Sequence, residues 1–66
     1  MKIMLNGDSV ETADGTTVEA LLQQLGISRE RVAVELNADI VLKNNYEQCL
    51  LSDCDRIEIV HFVGGG

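Results

Sequence analysis

Residues 16–27 read TTVEALLQQLGI. Val18, Leu21, Leu22 and Leu25 recur at i, i+3, i+4 and i+7, which is one apolar stripe at helical period. Thr16 and Glu19 have the spacing of a capping box, in which each side chain satisfies an orphan N–H of the first turn. Gly26 stands where a left-handed residue closes a helix, and Ile27 is placed to fold back on the last turn. Glu19, Gln23 and Gln24 are left to face solvent. The stretch predicts one amphipathic helix whose stripe is core.

The segments on either side follow a period of two. Residues 2–6, KIMLN, read as a strand, Asn6-Gly7-Asp8 as a turn that tolerates positive φ, and residues 9–12 as a returning strand. Asp14-Gly15 closes that hairpin. After the helix, Val32, Val34 and Leu36 lie on one face of a third strand. Asn37-Ala38-Asp39 is turn chemistry, and residues 40–42 form a short fourth strand. Residues 43–48 are polar, with Tyr46 as their one large anchor and room for a helical turn. Leu50 and Leu51 are expected to pin this segment to the core. Asp53-Cys54-Asp55 forms a tight turn before a last strand over residues 56–62. One helix laid across a mixed sheet is the smallest way to bury both apolar faces. The expected architecture is α+β, a mixed sheet of four to five strands with one main helix packed across it.

The chain has 66 residues, enough for one small domain. A domain of this size buries only about 60% of the surface its unfolded chain exposes. Its stability is expected on the order of 5 kcal/mol. Little core is left over for an enzyme pocket. Eleven acidic and five basic residues give a net charge of −6, which argues against nucleic-acid binding and for a basic partner surface. No apolar run approaches the roughly 20 residues needed to cross a bilayer, and no signal segment opens the chain. A cytoplasmic monomer without a membrane partner is the expectation. Cys49 and Cys54 match neither a C-x-x-C nor a zinc pattern, and are read as reduced thiols with no metal site. Asp53 and Asp55 read as turn-formers, and His61 as a packing or hydrogen-bonding residue rather than a catalyst.

The chain ends IVHFVGGG, residues 59–66. Glycine loses the most freedom on ordering and packs nothing, so residues 64–66 read as a flexible tail on a domain of residues 1–63. Lacking side chains, Gly64, Gly65 and Gly66 can thread a slot too narrow for a Cβ, over about 13 Å from Val63 when fully extended. No phosphate loop is present, and the glycines open no helix, so a phosphate cradle is a poor account of them. Alternation along the last strand puts Ile57 and Ile59 on one face, with Glu58, Val60 and Phe62 on the other. Val60, Phe62 and Val63 then form an exposed apolar anchor for a partner beside the tail.

This order of elements, the length and the Gly-Gly end resemble the ubiquitin-like β-grasp family, and within it the ThiS-type sulfur carriers of thiamine biosynthesis. The resemblance covers the whole chain. It is carried by KIMLNG at 2–7, TVEALLQQLG at 17–26, VAVELNADIV at 32–41 and DCDRIEIVHFVGGG at 53–66. In these carriers the turn before the last strand usually reads D-G-D, and here it reads Asp53-Cys54-Asp55. A glycine there suggests positive φ, which costs a non-glycine residue about 1 kcal/mol or more.

The resemblance implies a function and a set of partners. The chain would be a protein co-substrate rather than an enzyme, with no cofactor of its own. A ThiF-like adenylyltransferase would use ATP to activate the Gly66 carboxylate, with Gly64 and Gly65 threading its site. Sulfur from a cysteine desulfurase would displace AMP and leave a thiocarboxylate. A ThiG-like thiazole synthase would receive that sulfur for the thiazole ring. Two alternatives share the fold: a MoaD-like carrier serving molybdopterin synthesis, and a ubiquitin-like modifier joined through Gly66 to lysines.

Overall fold

Asn6 and Gly7 take φ of 48° and 87°, and Asn37 and Ala38 take 51° and 73°. Both pairs are the two consecutive left-handed positions of a type I′ turn, whose twist matches that of the strands it joins. They close two hairpins in this computed structural model, which describes residues 1–63. The glycine tail expected at Gly64, Gly65 and Gly66 lies outside the described residues. The first hairpin joins β1 (Lys2–Leu5) to β2 (Asp8–Glu11), and the second joins β3 (Val32–Leu36) to β4 (Asp39–Val41). The strand β5 (Arg56–His61) lies between them, parallel to β1 and antiparallel to β3. The five strands form one mixed sheet in the order β2-β1-β5-β3-β4. The one α-helix among the described residues, α1 (Val18–Leu25), packs on one face, as the sequence predicts.

The helix differs from expectation at both ends. Its N-cap is Thr17, whose hydroxyl accepts the Ala20 N–H at 3.1 Å. The cap therefore sits one residue later than the Thr16–Glu19 box. Thr16 is buried instead, and its hydroxyl donates to the Ala13 carbonyl at 2.6 Å. Glu19 does not reach solvent freely: its Oε1 lies 3.3 Å from Arg29 Nη1. At the other end Gly26 takes φ 70°, and Ile27 N–H returns to the Leu22 carbonyl, closing the helix as expected. The stripe buries Val18, Leu21 and Leu22, but Leu25, in the last turn before the Gly26 cap, is 41% exposed.

The core is Ile3, Val18, Leu21, Leu22, Val32, Val34, Tyr46, Leu51, Ile57 and Ile59. Tyr46 is the anchor that the sequence singles out, and the Arg29 guanidinium lies 5.3 Å from its ring centroid. Burial pushes the Tyr46 hydroxyl above its usual value. Leu51 is buried, whereas Leu50 is 62% exposed, so only one of the pair pins the segment. Leu50 forms an isolated bridge with Thr17, which turns its side chain away from the core while Leu51 N–H bonds the Thr16 carbonyl. β4 begins at Asp39, one residue earlier than predicted, because the turn before it needs only Asn37 and Ala38.

Candidate functional site

The site grows from the way β5 is held. Two asparagines, each the first residue of a type I′ turn, also pair with this strand. Asn6 Nδ2 donates to the Ile59 carbonyl at 3.1 Å, and Ile59 N–H donates to Asn6 Oδ1 at 2.7 Å. Arg56 N–H donates to Asn37 Oδ1 at 2.9 Å, and Asn37 N–H donates to the Arg56 carbonyl at 2.8 Å. Their side chains thus continue the ladder where β1 and β3 have already turned away. The sequence marks both as turn residues only. Their position opposite a central strand becomes visible once the strand order is known.

The turn before β5 is held just as closely. Asp53 Oδ1 accepts the Lys2 N–H at 2.7 Å, and Asp55 Oδ2 accepts the Ser52 N–H at 2.7 Å. Asp55 Oδ1 also accepts Asn37 Nδ2 at 3.0 Å. Both aspartates are turn-formers, as expected. The Lys2 N–H, followed by the Cys54 side chain, holds the Asp53 carboxyl below its ordinary value. Cys54 takes φ 71°, the left-handed conformation anticipated from its place in a usual D-G-D turn. It is exposed, with its Sγ 3.6 Å from Asp53 Oδ2. Cys49 is half-buried, and desolvation followed by the nearby Asp55 charge pushes its thiol up.

β5 then delivers its last residues to the surface. Phe62 N–H donates to the Arg31 carbonyl at 2.9 Å, just beyond the strand. Val63 is 96% exposed. Val60 stands opposite Ala33 and is 56% exposed, and Phe62 is 58% exposed. Phe62 does not turn inward to cap the core. Its ring lies 5.4 Å from Lys43 Nζ, a cation held over an aromatic face. Glu30, Arg31, His61 and Phe62 line a shallow hollow at this end of the sheet. His61 is exposed there. Further along the same face, Glu58 stands directly opposite Glu35. Val60, Phe62 and Val63, the predicted anchor residues, are therefore all accessible at the root of the tail. Gly64, Gly65 and Gly66 lie outside the described residues.

Arg29 is the main feature that the sequence does not reveal. Its guanidinium meets Glu19 at 3.3 Å, Glu47 at 3.6 Å and Glu30 at 3.9 Å, and donates to the Lys43 carbonyl. It ties α1 to the segment that carries Lys43, whose ammonium lies over the Phe62 ring. Among the described residues no three His, Cys, Asp or Glu side chains come together as a metal site. Among the described residues no helix is long and apolar enough to cross a membrane.

Residues 3–66 match the ThiS family model. The chain is 43% identical to the sulfur carrier protein ThiS of Bacillus subtilis, over 97% of this chain and 98% of that protein. It is 47% identical over its whole length to a thiazole synthase of Paramagnetospirillum magneticum, but spans only 20% of that protein. A thiazole synthase of Magnetococcus marinus gives 48% identity, again over 20% of its length. The crystal structure of thiamine biosynthesis protein ThiS from Geobacter metallireducens superposes with a TM-score of 0.86 at 30% identity, covering 100% of both chains. That structure and the matched residues agree with the β-grasp arrangement built up above, and the chain belongs to the ThiS family.

Proposed function

We propose that this chain is a sulfur carrier whose working group is the Gly66 α-carboxylate. The observation that carries the reading is the extent of the family match, which runs through residue 66 and so includes the Gly-Gly end. The exposed Val60, Phe62 and Val63 beside the root of the tail support it by offering an anchor for an activating enzyme. A ThiF-like adenylyltransferase joins the carboxylate to the α-phosphorus of ATP and releases pyrophosphate. A persulfide, supplied through a cysteine desulfurase, then attacks the acyl-adenylate and expels AMP. A second thiol cleaves the resulting acyl disulfide and leaves a thiocarboxylate. The fold contributes orientation: β5, fixed by Asn6 and Asn37, sets where the tail starts.

The recipient in this reading is a ThiG-like thiazole synthase. Two relatives named thiazole synthase carry a segment similar to this whole chain, which favours thiazole over molybdopterin as the destination. The test is the intact mass of the chain after incubation with ATP, a ThiF-like enzyme and a sulfur source. One oxygen is expected to be replaced by one sulfur. Because oxidation of methionine or cysteine adds nearly the same mass, a fragment spectrum must place the change on Gly66. A chain lacking Gly66 must not show it. An unmodified Gly66 carboxylate, in the presence of an enzyme shown to bind, would overturn sulfur carriage.

A further inference from the structure

The two edges of the sheet are unlike. β2 carries Asp8 and Glu11, charges that discourage pairing with another strand. β4 is Asp39-Ile40-Val41, and its chain stays extended through Leu42, with φ −72° and ψ 143°. Ile40 is 73% exposed and Leu42 is 64% exposed. A hollow lined by Ile40, Val41, Leu42, Asn45, Gln48 and Cys49 runs beside this edge. In a hairpin closed by a two-residue turn, the flanking residues exchange both hydrogen bonds, and the pairs alternate from there. Leu36 and Asp39 are that flanking pair, so Asp39 and Val41 bond inward to β3. Ile40 therefore turns its backbone N–H and C=O to the free edge, and Leu42 its N–H, while the Leu42 carbonyl accepts the Asn45 N–H at 2.8 Å.

We infer that this edge pairs antiparallel with the same edge of a second copy of the chain, Val41 against Val41. The register follows from side-chain chemistry. It sets Ile40 opposite Leu42 of the second copy, on the outer face, and brings Asp39 beside its Lys43, the first residue after the extended edge. Two-fold symmetry repeats each contact, giving two apolar pairs, two carboxylate–ammonium pairs and two backbone hydrogen bonds, from each Leu42 N–H to the Ile40 carbonyl of the other copy. A register centred on Ile40 would set Asp39 against Val41 and lose both ion pairs. In the single chain Lys43 lies over Phe62, so pairing draws its ammonium away from that ring. The contact is small, and each copy carries a charge of −6. Interfaces below about 1,000 Å² are weak or transient. The chain thus stays the monomer expected from its sequence at low concentration and dimerises at high concentration.

Sedimentation equilibrium of the full chain, from about 10 µM to about 1 mM, tests this. The average mass is expected to climb toward that of a dimer, and the amide signals of Ile40 and Leu42 to move with concentration while those of β2 stay still. Lys43→Asp sets carboxylates against each other at both ends and is expected to weaken association by about tenfold or more. Adding Asp39→Lys to Lys43→Asp restores opposite charges and is expected to restore association. Ile40→Lys, at an exposed position, is expected to abolish it without unfolding the chain, as circular dichroism would show. A monomer at every concentration, association indifferent to Lys43→Asp, no rescue by the double exchange, or amide shifts confined to another surface would each overturn the inference.

Discussion

Cys54 holds φ at 71° while donating its N–H to the Lys2 carbonyl at 2.7 Å, so the turn cannot relax without releasing β1. Cys54→Gly is expected to stabilise the fold by about 0.5–1 kcal/mol, the left-handed penalty less the entropy that glycine adds to the unfolded chain. Urea unfolding would read the change. The two thiols are expected to differ in reactivity: iodoacetamide labels exposed Cys54 first, and half-buried Cys49, its thiol pushed up, much more slowly. Peptide mapping over time would show the order. Asp53 sets a pH dependence. Its folded carboxyl titrates below the ordinary 3.8, so its contribution is present above that value and is lost as pH falls through the folded one. Asp53→Asn is expected to flatten this part of the acid-unfolding curve.

At the scale of elements, β5 depends on side chains as well as on its ladder. Asn6→Gly keeps a residue that accepts positive φ but removes both bonds to Ile59, and is expected to cost about 1–2 kcal/mol, the range for half-buried partners left unpaired. The helix makes a complementary case. Thr17→Ala is expected to cost about 1 kcal/mol through the lost cap. Glu19→Gln would leave that cap intact and weaken the tie to Arg29 instead. On the outer face Glu35 and Glu58 face each other across β3 and β5. Glu58→Lys is expected to stabilise the sheet by a few tenths of a kcal/mol, since opposite charges replace like ones on an exposed face. Chemical denaturation of these variants would separate the contributions.

For the molecule as a whole, stability and partner binding are expected to separate. Val60 and Phe62 are more than half exposed, so Val60→Asp and Phe62→Ala leave the melting temperature nearly unchanged. On the proposed function, the same changes weaken binding to a ThiF-like enzyme by about tenfold or more, the scale of an interface hot spot. Titration calorimetry beside a melting curve would read both. Asn6→Gly should do the reverse, lowering the melting temperature with a smaller effect on the exposed anchor. A chain in which anchor and core losses always moved together would contradict this division.

The sequence by itself determined the elements and their kind. The stripe Val18, Leu21 and Leu22, the alternation through β3 and β5, and the Asn-led turns each depend on neighbours within a few residues. The exposure of Val60 and Phe62 was legible for the same reason, because a period of two assigns faces without knowledge of what covers them. Only the tertiary structure decided what depends on distant segments. The Thr16–Glu19 spacing suits a capping box, but Thr16 is drawn inward to the Ala13 carbonyl and the cap passes to Thr17. Leu25 and Leu50 fit the apolar pattern, yet they are 41% and 62% exposed in the fold. Asn6 and Asn37 hold β5 only because that strand, the last in the chain, inserts between the two hairpins. Local spacing records the chain's own period, whereas strand order brings together residues more than fifty positions apart, as in the bond from Ile59 to Asn6.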